Sequence, residues 1–494
     1  MKISLLNSQV LDGNNVIPPL GLLYVAAVLE RAGHELQVID ADPDYDNTII
    51  NNVLEFDPDL IGIAFLTPGY QKALGLRKKL KQALPDKTYC AGGFHTTVKP
   101  VETLNELDLD FVVVGEGEDT IVEACQRLSR GQDLEGVKGV MYRRDGEVVD
   151  NGRRELIEDL DSLPFPARHL IDMTPYLKPP GIIRGHADGQ QTTIVTSRGC
   201  AYRCIYCGSH NMFGRKSRLR SARNVVDEME YLKKTFGMKG IYFCDDSFTL
   251  SPKRVHEFCD ELIERKLDMQ WACHSRVDQT GRDFMKRMKD AGLVQLDYGV
   301  ESGSAKILKV LGKGGAGDRK EQIIKSFKLS KELKIRTLAT FIVGNPEETE
   351  ADLQESFDLA KELKADYTAF YFLTPYPGSD IYKTAIEKGW LDKDLPFSEI
   401  WSHRQPEMPL ISITFEKEKL SKVRRRMQNH FFIRNYFSNI RNFGFYFTLL
   451  FNMLKSPKII IVALVKLFKT RRLDYVAEAL NAHYWLMKKY EKTT

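Results

Sequence analysis

Short apolar strands alternate with amphipathic helices along most of this chain, and this alternation limits the possible folds more than any other feature. Before residue 140, strands rich in Ile, Val and Leu are predicted at 2–7, 35–40, 60–65, 88–91 and 111–114. Six more are predicted at 192–196, 240–245, 269–274, 295–300, 335–343 and 367–373. Such strands between helices favour parallel sheets covered on both faces, so we expect an α/β protein with two separate sheets.

The first block predicts a doubly wound, Rossmann-like sheet, which binds ligands at the carboxyl ends of its strands. Four unusual loops are predicted at those ends: Pro18-Pro19-Leu20-Gly21, Thr67-Pro68-Gly69, Gly92-Gly93-Phe94-His95 and Gly115-Glu116-Gly117-Glu118. Paired glycines allow a ligand to approach the backbone closely. Four such loops in one sheet indicate a large cofactor. The alternative is a flavodoxin-like sheet that has lost its ligand.

Three cysteines, Cys200, Cys204 and Cys207, follow the first strand of the second block and Gly199. Thiols this close in a loop are typical of a soft-metal or iron–sulfur site. Iron–sulfur clusters usually take four cysteines, so three would leave one iron open. Two alternatives stay open: a structural zinc site completed by His210, and three buried, inert thiols.

The second block predicts a partial (β/α)6 barrel with its active face at the carboxyl ends of the strands. Polar residues and glycines are predicted there, namely Asp245, Asp246, Ser247, His274, Arg276, Glu301, Ser302, Gly303 and Gly344. Carboxylates can accept hydrogen bonds from an ammonium or a ribose, and an arginine can pair with a carboxylate through two N–H groups. Tyr376 lies in a Pro-rich loop after the last strand, where it could contact substrate. For Asp246, helix capping is the structural alternative.

The cysteine spacing resembles the CxxxCxΦC signature of the radical S-adenosylmethionine superfamily, with Tyr206 as the aromatic residue. The resemblance implies a [4Fe–4S] cluster on Cys200, Cys204 and Cys207, whose open iron binds S-adenosylmethionine and cleaves it to a 5′-deoxyadenosyl radical. Residues 300–304 resemble the ribose-contacting segment of that family, and 341–349 resemble its adenine-contacting segment. The implied S-adenosylmethionine contacts are Tyr206, Asp245, Arg276, Glu301, Ser302, Gly303 and Gly344. Asp245, Arg276, Glu301 and Tyr376 are the candidate catalytic residues.

Residues 1–140 resemble the cobalamin-binding domain that precedes many radical S-adenosylmethionine barrels. The similarity covers the PPLGL, AGHELQVID, GGFH and VVVGEGE segments. The loop after the first strand has no histidine, which implies cobalamin without a histidine ligand from that position. The implied cobalamin contacts are Pro19, Leu20, Gly21, Thr67, Gly92, Gly93, His95, Gly115, Glu116, Gly117 and Glu118.

We therefore predict a cobalamin-binding domain at 1–140, a linker at 141–190, a radical barrel core at 191–400 and a helical region at 401–494. From residue 411 onward the chain has 17 Lys/Arg against 5 Asp/Glu around aromatic and aliphatic runs. This pattern suits either helices at an anionic membrane surface or a lid packed on the barrel. A membrane contact would favour an apolar substrate, and we expect no nucleic acid partner.

The remaining cysteines, Cys90, Cys125, Cys244, Cys259 and Cys273, are expected to be reduced core residues. The N-terminus lacks the pattern of a signal peptide, so we expect a reducing cytoplasm. The membrane alternative for the tail would add peripheral contact at the inner membrane face. The resemblance implies a cobalamin-dependent methyltransferase acting on a poorly activated carbon, served by a flavodoxin- or ferredoxin-type electron donor. The alternatives are an oxidative cyclase of the tetrapyrrole type, a rearrangement enzyme and a non-catalytic cobalamin or redox sensor.

Overall fold

The structure of the chain is a computed structural model. It describes residues 1–8, 17–40, 45–177, 183, 190–313, 319–395, 409–431 and 435. The loop between the first strand and Ile17, the Lys178–Gly181 turn and the apolar runs at 442–454 and 459–465 lie largely or wholly outside these residues.

The N-terminal part is built from alternating strands and helices that end in a β-hairpin. In chain order its elements are β1 (Lys2–Asn7), α1 (Leu20–Arg31), β2 (Glu35–Ile39), α2 (Tyr45–Phe56), β3 (Leu60–Ala64), α3 (Tyr70–Ala83), β4 (Thr88–Gly92), α4 (Phe94–Val98), α5 (Pro100–Glu106), β5 (Phe111–Val113), α6 (Glu118–Leu128), β6 (Val140–Arg144) and β7 (Glu147–Asp150).

These strands form one sheet in the order β2-β1-β3-β4-β5-β6-β7, parallel through β5 and antiparallel in the closing hairpin. Alternate residues of each central strand face opposite helical layers: Leu5 packs into one core and Leu6 into the other. The strand order reverses at β1 and β3, and ligands bind at the carboxyl ends of the strands beside such a reversal. The sheet continues through β7, beyond the domain boundary predicted at residue 140, and the three boundaries between the four predicted segments stay predictions.

The connector after the hairpin is held against the second sheet by a buried charge. Arg168 is fully buried, and its Nη1 donates to Glu228 Oε1 over 2.7 Å. Its Nη2 donates to the Thr193 carbonyl over 2.9 Å. Because a buried guanidinium needs partners of this kind, the connector is fixed to the barrel rather than merely spanning the gap.

The C-terminal part repeats the strand–helix unit. Its elements are β8 (Gln190–Ile194), β9 (Ser197–Arg198), α7 (Ser209–Phe213), β10 (Arg218–Leu219), α8 (Ala222–Phe236), β11 (Met238–Phe243), α9 (Pro252–Glu264), β12 (Gln270–Ser275), α10 (Arg282–Asp290), β13 (Leu293–Glu301), α11 (Ala305–Val310), α12 (Arg319–Glu332), β14 (Arg336–Val343), α13 (Glu350–Leu363), β15 (Tyr367–Phe372), α14 (Asp380–Glu387) and α15 (Lys417–His430).

Six of these strands form one parallel sheet in the order β15-β14-β13-β12-β11-β8, which is the partial (β/α)6 barrel expected from the sequence. One face packs on the helices through residues such as Phe243, Trp271 and Leu296. The alternate residues, among them Tyr242 and His274, therefore line the inner face of the barrel. All the strands run the same way, so their carboxyl ends gather polar residues at one rim.

Helix α15 covers the open edge of the last barrel strand. Gln428 Oε1 accepts from the Phe370 N–H over 3.0 Å, and Arg424 Nε donates to the Phe370 carbonyl over 2.7 Å. Asn435 Oδ1 accepts from the Thr368 N–H over 2.8 Å. These side chains satisfy backbone groups that an edge strand leaves open. The described part of the predicted tail thus packs on the barrel, and among the described helices none is long and apolar enough to cross a bilayer.

Candidate cofactor site

The three-cysteine loop begins at the carboxyl end of β8 and is closed at its base by the short β9–β10 pairing. Gly199 has φ +86°, and a Cβ there would lie 2.4 Å from the Lys216 carbonyl oxygen, so only glycine permits this crossing. Beyond it, the Cys207 N–H donates to the Cys204 carbonyl over 3.1 Å. This turn brings Cys200, Cys204 and Cys207 onto one loop with their thiols partly exposed.

The donor set suits a multi-iron cluster. All three thiols are free, as a cluster ligand requires. Within the described residues, no three His, Cys, Asp or Glu side chains converge on one point as a single-metal site demands. A cubane does not need such convergence, because each thiolate binds a different iron. Burial raises the pKa of Cys207 to about 11, so iron binding would have to displace its proton.

Asp245 and Asp246, adjacent at the end of β11, have different environments. Asp245 is 2% exposed, and its carboxylate accepts from the Thr196 N–H over 2.6 Å and from the Ser197 N–H over 3.3 Å. It therefore holds the start of the cluster loop in place. Asp246 is exposed and accepts from Ser209 Oγ over 2.6 Å. Of the two, Asp246 is the carboxylate that a ligand can reach.

Glu301, at the end of β13, joins the barrel to the cluster loop. Its Oε1 accepts from the Tyr206 hydroxyl over 3.0 Å and from Lys313 Nζ over 2.6 Å. Glu301 has φ +66°, a conformation uncommon for residues other than glycine and often found at functional sites. Burial, followed by the nearby Glu301 charge, raises the pKa of Tyr206 well above its usual range. Tyr206 therefore stays protonated and donates to the carboxylate.

Arg276 lies beside the same loop, with its guanidinium 3.6 Å from the centre of the Tyr202 ring. Its Nε and Nη2 donate to the two carboxylate oxygens of Asp278 over 3.1 and 2.9 Å. The sequence predicts that this fork pairs with a ligand carboxylate. In the structure Asp278 takes that position, so the ligand contact of Arg276 stays a prediction.

The predicted adenosine-contacting segments are packed against other parts of the barrel. A Cβ on Gly303 would lie 2.4 Å from the Glu355 carbonyl oxygen, so this glycine permits close packing on α13. Ser302 is fully buried, with its Oγ 3.0 Å from Ser356 Oγ. A Cβ on Gly344 would lie 2.8 Å from Leu420 of α15. Packing accounts for these three residues, and their contact with a cofactor stays a prediction.

A polar cluster on the inner barrel face joins His274, which is predicted at a strand end, to Tyr242 and Asp297, which the sequence pattern does not single out. The Tyr242 hydroxyl donates to Asp297 Oδ2 over 2.6 Å and lies 3.1 Å from His274 Nε2. Since this hydroxyl gives its one proton to the carboxylate, it accepts the Nε2–H of His274. The assignment leaves Nδ1 of an exposed histidine as an acceptor. Strand alternation could have placed these three residues together, but only with the strand register known.

The glycine loops of the N-terminal sheet form an open edge. A Cβ on Gly21 or on Gly115 would meet nothing within 4 Å. The Ser8 hydroxyl, at the end of β1, is buried and has no hydrogen-bond partner among the described residues. Pro19 and Leu20 stand at the start of α1 beside this edge, and Gly92 at the end of β4. Open space next to glycine backbone and an unsatisfied hydroxyl both suit a large polar ligand.

His95 and Thr67 are packed into the sheet edge. His95 is fully buried between the Phe65 and Tyr70 rings, and its Nδ1 is 3.0 Å from Thr67 Oγ1. Burial lowers the pKa of His95 to about 4, so the ring is neutral at pH 7. A Cβ on Gly93 would lie 2.9 Å from the Phe65 carbonyl oxygen. Contact between the His95 ring and a cofactor would require this packing to open, and it stays a prediction.

The Gly115–Glu118 loop faces the barrel with its two carboxylates. Glu116 and Glu118 are 7% and 4% exposed, and both accept from Arg198 of the cluster loop, over 2.9 and 2.5 Å. Gly117, between them, is the N-cap residue of α6. The sequence predicts cofactor contacts for this loop, whereas its acidic side chains contact the barrel.

The glycine edge of the first sheet and the cluster loop lie against each other. A Cβ on Gly208, next to Cys207, would lie 2.5 Å from Phe94 Cζ of α4. Thr97 Oγ1 is 3.8 Å from Met212 Sδ of α7. Tyr376 lies among partly buried hydrophobic residues near α14, and its carbonyl accepts from Ser379 Oγ over 2.6 Å. The carboxyl ends of both sheets therefore converge on one region.

Comparison with known proteins identifies both the N-terminal sheet and the barrel as parts of known families. A family model described as the Radical SAM superfamily matches residues 194–360, and one described as a B12 binding domain matches residues 10–124. An uncharacterized methyltransferase of Pyrococcus horikoshii is 33% identical over 84% of this chain and 88% of its own length. The chain belongs to the cobalamin-dependent radical S-adenosylmethionine family. Its cofactors are a [4Fe–4S] cluster, S-adenosylmethionine and cobalamin.

Other members of the family carry different names. The cytidylyl-2-hydroxyethylphosphonate methyltransferase of Streptomyces wedmorensis is 27% identical over 80% of this chain and 83% of its own. The anaerobic magnesium-protoporphyrin IX monomethyl ester cyclase of Rubrivivax gelatinosus is 29% identical over 75% of this chain and 67% of its own length. The solved radical methyltransferase TsrM of Kitasatospora setae shares the fold, with a TM-score of 0.66 and 21% identity over 78% of this chain and 75% of that one.

Proposed function

We propose that this enzyme is a cobalamin-dependent radical S-adenosylmethionine methyltransferase that acts on a poorly activated carbon. The observation that carries the proposal is the contact between the glycine edge of the first sheet and the cluster loop, at Phe94 and Gly208. Methyl transfer from cobalamin to a substrate radical requires both cofactors to reach one substrate. A shared region at the two sheet edges provides that arrangement.

The bound cofactors would supply the radical that removes a substrate hydrogen and the methyl group that replaces it. The chain supplies their positions. Cys200, Cys204 and Cys207 would hold the cluster, and Asp246 would accept from the ammonium of S-adenosylmethionine because it is the accessible carboxylate beside the loop. Tyr206 and Lys313 would fix Glu301 near the same cofactor.

The inner barrel face limits the substrate. His274 would present Nδ1 as a hydrogen-bond acceptor, held by Tyr242 and Asp297 behind it. We infer a substrate with at least one O–H or N–H group near the carbon that is methylated, on an otherwise apolar or natural-product-like scaffold.

An oxidative cyclase is the second candidate, since relatives named magnesium-protoporphyrin IX monomethyl ester cyclases are 27–29% identical. Such a reaction uses the same two domains without methyl transfer. The Pyrococcus and Streptomyces relatives are named as methyltransferases, and this chain covers more of their length than it covers of the cyclases. This difference favours methyl transfer.

The enzyme takes a small-molecule substrate and needs a reductant. We propose a flavodoxin- or ferredoxin-type donor and a reducing cytoplasm, where an oxygen-labile cluster is protected. Peripheral membrane contact stays a prediction, because the apolar runs that motivate it lie outside the described residues.

The test is anaerobic reconstitution with iron, sulfide and hydroxocobalamin, followed by assays for 5′-deoxyadenosine and S-adenosylhomocysteine under reductant with a panel of apolar metabolites that carry O–H or N–H groups. We expect about four irons and one cobalamin per chain and both products with a substrate from the panel. Formation of 5′-deoxyadenosine with a ring-closed product and no S-adenosylhomocysteine would instead identify a cyclase. Stoichiometric zinc without iron would refute the proposal.

A pair of cysteine variants provides the internal control. Cys204→Ala removes a proposed ligand, and we expect loss of the cluster's visible absorbance and of 5′-deoxyadenosine formation. Cys244→Ala removes another partly exposed thiol, beside Asp245, and should retain both. Equal loss in the two variants would contradict the ligand assignment.

A further inference from the structure

A buried four-residue ionic cluster joins the first sheet to the base of the cysteine loop. It consists of Glu116 in the loop after β5, Glu118 at the start of α6, and Arg198 and Arg218 from β9 and β10. None of the four side chains is more than 7% exposed. Its two positive and two negative charges balance, so the cluster is neutral only when both parts of the chain contribute.

The two arginines are directly opposite each other in the β9–β10 ladder. Like charges at opposed positions of an antiparallel pair destabilise it. Glu116 relieves this repulsion: it accepts from Arg218 Nη1 over 2.8 Å, from Arg218 Nη2 over 3.0 Å and from Arg198 Nη1 over 2.9 Å. The base of the cysteine loop therefore closes around a carboxylate that belongs to the cobalamin-binding sheet.

The same carboxylate also fixes the chain between the two parts. The Ile157 N–H donates to Glu116 Oε2 over 2.9 Å, and Arg218 Nη1 donates to the Ile157 carbonyl over 2.5 Å. Burial alone would raise the pKa of Glu116, but hydrogen bonds and attraction from Arg218 and Arg198 outweigh it and lower that pKa. Glu116 is thus ionised at neutral pH, as the bridging role requires.

We propose that Arg198 and Arg218 are positioning residues that lock the cysteine loop onto the cobalamin-binding sheet, and so set the separation between the two metal cofactors. Arg198 is two residues from Cys200, and Glu116 is next to Gly115 at the open sheet edge. A shift of the ionic cluster would therefore move both cofactor sites relative to each other. The inference rests on the cofactor sites proposed above.

Hydrogen exchange of the full-length protein tests the lock without any cofactor. Arg198→Lys keeps a charge but loses the planar fork that contacts both glutamates, and Glu118→Gln removes one charge. In either variant we expect amides within 199–217 and 114–118 to exchange roughly tenfold faster, with other segments unchanged. If one variant fails to fold, the other still decides the comparison.

Two matched controls separate local from general effects. Lys216→Gln, also in the cysteine loop, removes an exposed ion pair with Glu158 of the connector. Arg77→Lys alters a buried arginine inside the first sheet layer, which donates to the Asp108 carbonyl. Neither should change exchange within 199–217. Unchanged exchange there in both Arg198→Lys and Glu118→Gln, or equal acceleration in Arg77→Lys, would overturn the proposal.

The reconstituted enzyme gives the second measurement, the distance distribution between reduced cluster and cob(II)alamin by pulsed electron paramagnetic resonance. We expect full loading of both cofactors in Arg198→Lys with a broader or shifted distribution. Full loading with the wild-type distribution would refute the positioning role. If the wild-type protein binds neither cofactor, the proposed function fails, and the exchange result alone decides whether the lock exists.

Discussion

The hydroxyl of Tyr206 donates to Glu301 Oε1 over 3.0 Å, which connects the cysteine loop directly to the end of β13. Glu301 has few alternative positions, because its backbone is in the left-handed region and its carboxylate also accepts from Lys313. A residue between two cluster ligands therefore holds the carboxylate expected to contact S-adenosylmethionine.

Replacing Tyr206 with Phe removes this bond and retains the ring. A hydrogen bond to a charged partner contributes about 1.5–3 kcal/mol, so we expect the S-adenosylmethionine concentration for half-maximal 5′-deoxyadenosine formation to rise about tenfold or more. Iron content should be unchanged. Tyr202→Phe is the control, since within the described part of the chain its hydroxyl accepts only from the neutral Gln279 amide, over 3.2 Å. Equal effects of the two variants would contradict a special role for Tyr206.

Most of the fold could be predicted from the sequence, because buried parallel strands leave a strong apolar pattern. Strand β1 begins and ends where predicted, and β14 begins one residue after the predicted strand 335–343 and ends with it. Short elements were missed: β9 and β10 have two residues each and leave no periodic signal. They matter for function, because they close the cysteine loop.

The chemistry of the site could be predicted only in part. The cysteine spacing is local, so the sequence alone shows it. The roles of Asp245 and Asp246 depend on which of two neighbours faces Thr196, and that follows from strand register rather than residue type. From its loop, Glu116 is predicted to contact a ligand. Its actual partners, Arg198 and Arg218, are far from it along the chain, so the sequence could not show them.

The two aspartates should separate in their effects. Asp245→Asn replaces a buried acceptor of two backbone N–H groups, so we expect a loss of about 1–3 kcal/mol in the free energy of unfolding. Asp246→Asn alters an accessible carboxylate and should keep stability while weakening S-adenosylmethionine binding about tenfold. Denaturant unfolding and equilibrium binding measure the two effects. The reverse pattern would show that Asp245 is the ligand contact.

Gly303→Ala tests whether packing on α13 requires this glycine. The three atoms nearest the added Cβ would be backbone atoms of Glu355 and Ser356, at 2.4–2.8 Å, and these cannot move independently of the helix. We expect destabilisation of about 1–3 kcal/mol or more in denaturant unfolding. Gly75→Ala, inside α3, is the control, since a Cβ there meets nothing within 4 Å and should be neutral or stabilising. Equal stability of the two variants would contradict the packing role.

Glu348 gives the chain a pH-dependent stability that can be measured without cofactors. Burial raises its pKa from 4.5 to about 7, although Gly344 and Asn345 N–H groups donate to its carboxylate. The folded chain therefore holds a proton that the unfolded chain loses, so this residue lowers stability as the pH rises from about 4.5 to about 7.

Glu348→Gln should remove that slope. As the pH rises towards 7, the unfolding free energy of the variant minus that of wild type should increase by up to about 1.4 kcal/mol per pH unit, and above pH 7 it should level off. Denaturant unfolding at pH 5–8 measures this difference. Glu350→Gln is the control: its pairing with Lys419 lowers the pKa of that carboxyl, so its titration falls below this window. A constant difference between Glu348→Gln and wild type from pH 5 to pH 8 would show that the buried carboxyl does not titrate there.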